Sequence, residues 1–178
     1  RGAMNTIVPG PMAVMKWIET EVAKAIARGQ HGWVKYPTKE DPDRKLWKPI
    51  EQEFEWATPS GFVVRQKMMK KDWEILDLKL LGRCTLSVAT DDTDVVDISR
   101  HKAATAPNLI HSLDASLLHL SAIKFNAPIA LIHDSVLSRA TDMDELSTLI
   151  RQTYMQLFAD HDYLTDFAKQ IGAETKPP

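Results

Sequence analysis

Ile129-Ala130-Leu131-Ile132-His133-Asp134-Ser135 is the stretch on which the fold of this chain turns. Four consecutive apolar residues stop abruptly on a histidine and an acid. A run this apolar suits a strand buried on both faces of a sheet. Asp134 then stands at the end of a buried element, where a carboxylate is costly unless a cation meets it. A rigidly held acid in that position suits a divalent metal. Asp and Ser are also common turn residues, so the same three polar residues fit a hairpin closing between Ile129–Ile132 and residues 136–138. A Ser-His-Asp hydrolase triad fits poorly. In a strand, His133 and Ser135 share one face and Asp134 points to the other.

A second segment lies upstream, from His101 to Ile123. Leu109, Leu113, Leu117 and Leu120 recur at helical spacing and read as a core stripe. Asn108, Ser112, Ala115 and His119 form a polar or small stripe, with His111 and Asp114 beside it. Pro107 removes one backbone donor and is expected to end or kink the preceding helical turn. Taken alone, this is an ordinary amphipathic helix with solvated polar residues.

Together the two segments resemble a family. Pro107-Asn108-Leu109-Ile110-His111-Ser112-Leu113-Asp114-Ala115-Ser116, followed by Ile132-His133-Asp134-Ser135, is similar to the C-terminal signature of single-subunit RNA polymerases of the bacteriophage and mitochondrial type. Ala140-Thr141-Asp142-Met143-Asp144 and Leu149-Ile150-Arg151-Gln152-Thr153-Tyr154 resemble the same family downstream. Trp56-Ala57-Thr58-Pro59-Ser60-Gly61-Phe62 does so upstream. The likeness runs from about residue 12 to residue 167.

The resemblance implies a fold, an activity and a set of roles. The fold is α+β, an antiparallel palm-type sheet with packed helices, here a partial polymerase palm. The activity is template-directed nucleotidyl transfer by two magnesium ions. Asp134 takes the place of the second metal-binding aspartate, with His133 beside it at the catalytic end. His133 and Ser135 flank the primer end, and His111 with Ser112 faces the nascent RNA–template duplex. Imidazole and hydroxyl suit such contacts without reading sequence. The implied partners are DNA template, nascent RNA and nucleoside triphosphates. The motif for the first aspartate, and the fingers helix with its nucleotide-gripping lysine, arginine and tyrosine, are not found. A C-terminal palm portion that needs a missing N-terminal and fingers portion is therefore expected, inactive by itself. A non-catalytic nucleic-acid-binding or interaction module that keeps the palm fold is the alternative.

Composition agrees with one compact domain. The 178 residues are 44% hydrophobic and 26% charged, enough for a core. One cysteine, Cys84, excludes an internal disulfide framework. No apolar run nears the ~20 residues that span a membrane, and no signal-peptide pattern appears. The resemblance implies a cytoplasmic location in a bacterial or phage-infected cell, with a mitochondrial one as the less favoured alternative. A net charge of −2 argues against strong free-standing nucleic-acid binding. Arg65, Lys67, Lys70, Lys71, Lys79 and Arg83 are the one basic cluster; Lys67, Lys70 and Lys71 are its candidate phosphate contacts.

The remaining pattern divides the chain into a tag-like or unstructured start over residues 1–10, a helix plus loop over 11–51, a palm portion over 52–172 and a frayed tail over 173–178. Residues 11–28 read as a helix stopped by Gly29, and 30–49 as a loop or insertion. Pro59-Ser60-Gly61 marks a hairpin. Residues 74–89 read as extended, 91–94 as an acidic turn that lacks the glycine and glutamate of a calcium loop, and Asp94 or Asp97 as a helix cap. Residues 143–159 read as a helix capped by Asp142, and 163–171 as a short terminal one. Truncation of a palm sheet exposes strand edges, so self-association through residues 129–138 is expected.

Overall fold

A computed structural model describes residues 6–29, 31–35, 45–49, 54–78 and 84–178. The architecture is α+β: among the described residues, α-helices and two-stranded antiparallel hairpins. Helix α1 (Pro9–Arg28) begins with proline, whose missing N–H is harmless in a first turn, and ends where the Gly29 N–H donates to the Ile26 carbonyl at 3.1 Å. Its Trp17, Ile18, Val22 and Ile26 are buried at helical spacing. Strands β1 (His31–Lys35) and β2 (Lys45–Pro49) pair with each other, so the expected loop over 30–49 is in part a hairpin; residues 36–44 lie outside the described ones.

Hairpin β3 (Phe54–Ala57) and β4 (Val63–Gln66) forms around the Pro59-Ser60-Gly61 turn, as the turn residues require. Gly61 has φ +82°, a conformation that favours glycine. Strands β5 (Met69–Leu78) and β6 (Cys84–Val96) make a long ribbon. The expected acidic turn at residues 91–94 lies inside β6. Register shifts between Met69, Lys71 and Trp73 absorb the irregularity there, and Lys71 pairs with Asp92. Lys79, Gly82 and Arg83 lie outside the described residues.

Helix α2 (Ile98–Lys124) follows. Asp97 caps it, its Oδ1 accepting the Arg100 N–H at 3.0 Å. Of the end or kink expected at Pro107, the end does not occur; the helix runs through it. Ala103, whose carbonyl loses its donor, is exposed like Pro107 itself, so water can replace the bond. The buried face also differs from the leucine stripe read from the sequence. His101, Thr105, Ala106, Leu109, Ser112 and Ser116 are buried, whereas Leu113, Leu117 and Leu120 are half-buried. Small hydroxyls can be buried here because each bonds back to its own helix: Thr105 to the His101 carbonyl at 2.7 Å, Ser112 to Leu109 at 2.8 Å and Ser116 to Ser112 at 2.8 Å.

Strands β7 (Ile129–Ile132) and β8 (Ser135–Ser138) form a further hairpin, and α3 (Met143–Asp160) and α4 (Tyr163–Ile171) close the chain. Asp142 does not cap α3. Its carboxylate accepts from Arg139 at 2.7 Å and Thr141 at 3.1 Å instead. The core gathers α1, β3, α2 and α4, with Phe54, Trp56 and Phe167 packed as tilted and edge-to-face rings.

The tail reaches back to α1 at Thr175. That residue accepts the Trp17 indole N–H at 3.0 Å and donates to Glu21 at 3.0 Å, while the Glu174 N–H reaches Glu21 at 2.7 Å. Burial pushes the Glu21 carboxyl up, but these bonds and the Lys24 ammonium outweigh it and hold the group below its usual range. The tail thus supplies two donors to a buried carboxylate, a pairing that the sequence pattern does not reveal.

Candidate active site

The β7–β8 register pairs Ile132 with Ser135, which leaves His133 and Asp134 as a two-residue turn. The sequence expectation of a strand buried on both faces is overturned. Ile132 is 61% exposed, and Leu131 and Leu137 are exposed as well. The reason is topological: among the described residues β7 and β8 pair only with each other. Asp134 therefore sits at a solvated tip, with its side chain 77% exposed.

The turn also changes the geometry expected of the triplet. His133 has φ +57°, the left-handed region that a two-residue hairpin turn needs at its first position. Histidine enters that region more readily than most residues, although glycine does so without strain. The bend brings His133, Asp134 and Ser135 together instead of alternating them. The His133 Nδ1 lies 3.3 Å from Asp134 Oδ1, and the Ser135 hydroxyl donates to the same oxygen at 3.4 Å. The hydrogen bond from His133 is the main influence holding the Asp134 carboxyl below its usual range, aided by Ser135. The group is ionised near neutrality, and Oδ2 takes part in neither contact. A serine nucleophile activated by histidine is not what this arrangement offers, since both partners address the carboxylate.

Helix α2 approaches the hairpin at His111. The His111 ring approaches the His133 ring at 6.2 Å, edge to face. His111 is exposed, on the same helix face as Ala115 and His119. Ser112 is placed differently from its neighbour. It is buried, and its Oγ meets the Trp56 indole N–H at 3.2 Å and the Tyr163 hydroxyl at 3.1 Å. Its hydroxyl thus ties α2 to β3 and α4 and does not belong to the exposed face that carries His111. Tyr163 also donates to the Leu109 carbonyl at 3.1 Å. Nothing local in the sequence marks Tyr163 as a partner of Ser112; the pairing exists only once α4 folds back.

Lys67, Lys70 and Lys71 are exposed around the start of β5. No described contact links them to the hairpin tip, so the structure does not merge the two candidate regions. A cavity of about 730 Å³ between α2, α3 and α4 is also separate; it is lined by Ile110, Leu113, Leu117, Tyr154, Leu157 and Phe158 and takes no residue from the hairpin.

A metal requires more than Asp134. No group of three histidine, cysteine or acidic residues suited to an ion occurs among the described residues. Magnesium, however, is often held by one or two carboxylates with waters and substrate phosphates completing its shell. An exposed, ionised carboxylate fits as one such ligand and no more.

The family model for DNA-dependent RNA polymerase matches residues 2–177. The chain belongs to that family. It is 30% identical to the DNA-directed RNA polymerase of Pseudomonas phage phiKMV over 181 residues, covering 99% of this chain and 19% of the relative. It is 29% identical to T7 RNA polymerase of Escherichia phage T7, over 92% of this chain and 20% of the relative. It is 33% identical to DNA-directed RNA polymerase 1, mitochondrial, of Arabidopsis thaliana, over 69% of this chain and 13% of the relative. The chain thus spans about a fifth of the phage relatives' length. No helix among the described residues is long and apolar enough to cross a membrane.

Proposed function

We propose that this polymerase segment is a palm portion that supplies one metal-binding carboxylate, Asp134, to template-directed nucleotidyl transfer. The observation that carries the reading is the hairpin tip: an ionised, solvated carboxylate held by His133 and adjoining His111. Bound magnesium would neutralise charge on the triphosphate and activate the attacking hydroxyl. The chain's own residues do the rest. His133 orients the Asp134 carboxylate and keeps it charged. Ser135 stands beside the primer end, and His111 contacts the RNA–template duplex from α2. Lys67, Lys70 and Lys71 attract phosphate backbone by charge, a salt-sensitive contribution. Ser112, buried against Trp56 and Tyr163, holds α2 in register and so positions His111. The partners are template DNA, nascent RNA, nucleoside triphosphates and an upstream polymerase portion, and the setting is the cytoplasm of a bacterial or phage-infected cell.

The test is reconstitution. The chain by itself is expected to incorporate no nucleotide, since one carboxylate does not hold two ions. Combined with the upstream part of a phage-type polymerase, it should extend a primed template. Asp134→Asn should then lower the incorporation rate on the order of 100-fold or more with an unchanged circular-dichroism spectrum. His133→Ala should cost about tenfold, because it orients the ligand without binding the ion. Near-normal extension by Asp134→Asn would remove the assignment.

A further inference from the structure

The exposed face of α2 does not end at His111. Two turns on, His119 is also exposed, and the Phe62 ring lies 6.3 Å from it, edge to face. Residues 111 and 119 are eight apart, so they lie about 12 Å apart along the helix and within about 80° of each other around it. Only Ala115 stands between them on this face, a side chain too small to bar a ligand.

Phe62 is 60% exposed, yet it does not belong to a loose loop. Its N–H donates to the Thr58 hydroxyl at 3.2 Å, and its carbonyl accepts the Thr58 N–H at 2.8 Å. Ser60 bonds Thr58 at 3.1 Å and donates to Ser116 of α2 at 3.3 Å. Thr58 and Ser116 are both buried. The turn is therefore bolted to the helix, and it holds an apolar ring out in water beside an imidazole. A flexible turn would let that ring fold down. A fixed one keeps it available for a flat ligand.

We propose that Phe62 and His119 form a stacking site for an unpaired nucleotide, continuous with the His111–His133 surface. The phenyl face suits a nucleobase of any identity, and the imidazole suits the neighbouring sugar or phosphate. The ~12 Å span corresponds to three or four nucleotides at about 3.4 Å each. The site thus takes single-stranded nucleic acid that runs on from a duplex seated near His111. This inference rests on the proposed nucleic-acid face of α2, and its test separates the two.

The chain would be titrated at low ionic strength with two fluorescent probes, a blunt RNA–DNA hybrid and the same hybrid carrying a four-nucleotide single-stranded RNA extension. The extension should tighten binding by roughly fivefold or more, the lower range for one stacked base. Phe62→Ala should abolish that gain and leave blunt-hybrid binding unchanged. Phe62→Trp should retain the gain, and His119→Ala should reduce it. His111→Ala should weaken both probes equally. A gain that survives Phe62→Ala, an equal loss for both probes in that variant, or no gain from the extension would each overturn the stacking site. A Phe62-dependent gain without any effect of His111→Ala would keep the stacking site and remove the duplex contact assigned to His111.

Discussion

The buried face of α2 and the tip of the β7–β8 hairpin use the same kinds of side chain and treat them in opposite ways. His101 is fully buried, its Nε2 accepts the Met68 N–H at 3.0 Å, and its Nδ1 lies 3.1 Å from the Gln66 amide. Gln66 in turn joins Thr105 and Asn108. His133 is solvated, left-handed and bonded to its own neighbour. The first histidine is part of what holds β4 to α2. The second stands at a solvated hairpin turn, beside the Asp134 carboxylate and the His111 ring. Polar groups that are satisfied internally stabilise the structure; polar groups left solvated on a fixed turn are available to a ligand.

The largest test of that contrast is one of packing. Phe167 is 1% exposed and lies edge to face with both Phe54 and Trp56. Phe167→Ala should cost about 3–5 kcal/mol in urea unfolding. Leu137→Ala, in the exposed hairpin, should change stability by less than about 0.5 kcal/mol. Comparable losses at the two positions would mean that the hairpin is buried in solution and would break the comparison.

The next effect is a pH dependence. Burial pushes the His101 imidazole below its ordinary value of 6.5. A lowered folded value means that the unfolded chain binds the proton more readily as pH falls. The stability contribution is therefore complete above about pH 6.5 and declines on acidification below it, by at most about 1.4 kcal/mol per pH unit. Unfolding measured between pH 7.5 and pH 5 should show that slope, and His101→Gln should flatten it. An unchanged slope in the variant would assign the dependence to other groups.

Much of this was legible before the structure. The turn at Pro59-Ser60-Gly61, the Asp97 cap and the limits of α4 follow from local backbone chemistry, which short sequence windows carry. The α+β class and the family followed from two motifs in the right order. What failed depended on distant partners. The apolar run at Ile129–Ile132 reads as buried because composition reports a preference for burial, whereas only a neighbouring strand provides it. The leucine stripe of α2 misled because its serines and threonines bond back to the helix and so lose their need for water. The Ser112–Tyr163 contact joins residues 51 apart and the Trp17–Thr175 contact residues 158 apart. No periodicity encodes either. At the site, Asp134 and His133 were identifiable by motif, but their mutual contact required the left-handed turn.

The smallest expected effect on the fold itself lies in the hairpin, and it shows instead in association. Ala130 pairs with Leu137 and Ile132 with Ser135, so Ile132 and Leu137 share one face of the ribbon. Both are more than half exposed. With no further strand beside them among the described residues, both backbone edges are open to pairing. A second copy of the chain offers the same apolar face and the same free edges. Sedimentation velocity should therefore show concentration-dependent self-association. Leu137→Lys should weaken it roughly tenfold, the effect of losing one buried leucine side chain from the contact. The same substitution should leave the unfolding midpoint almost unchanged, since the residue is solvated in the monomer. A wild-type chain that stays monomeric at high concentration, with the amides of residues 129–138 strongly protected from hydrogen exchange, would show that the hairpin is covered from within and that its exposure is not the property that separates it from α2.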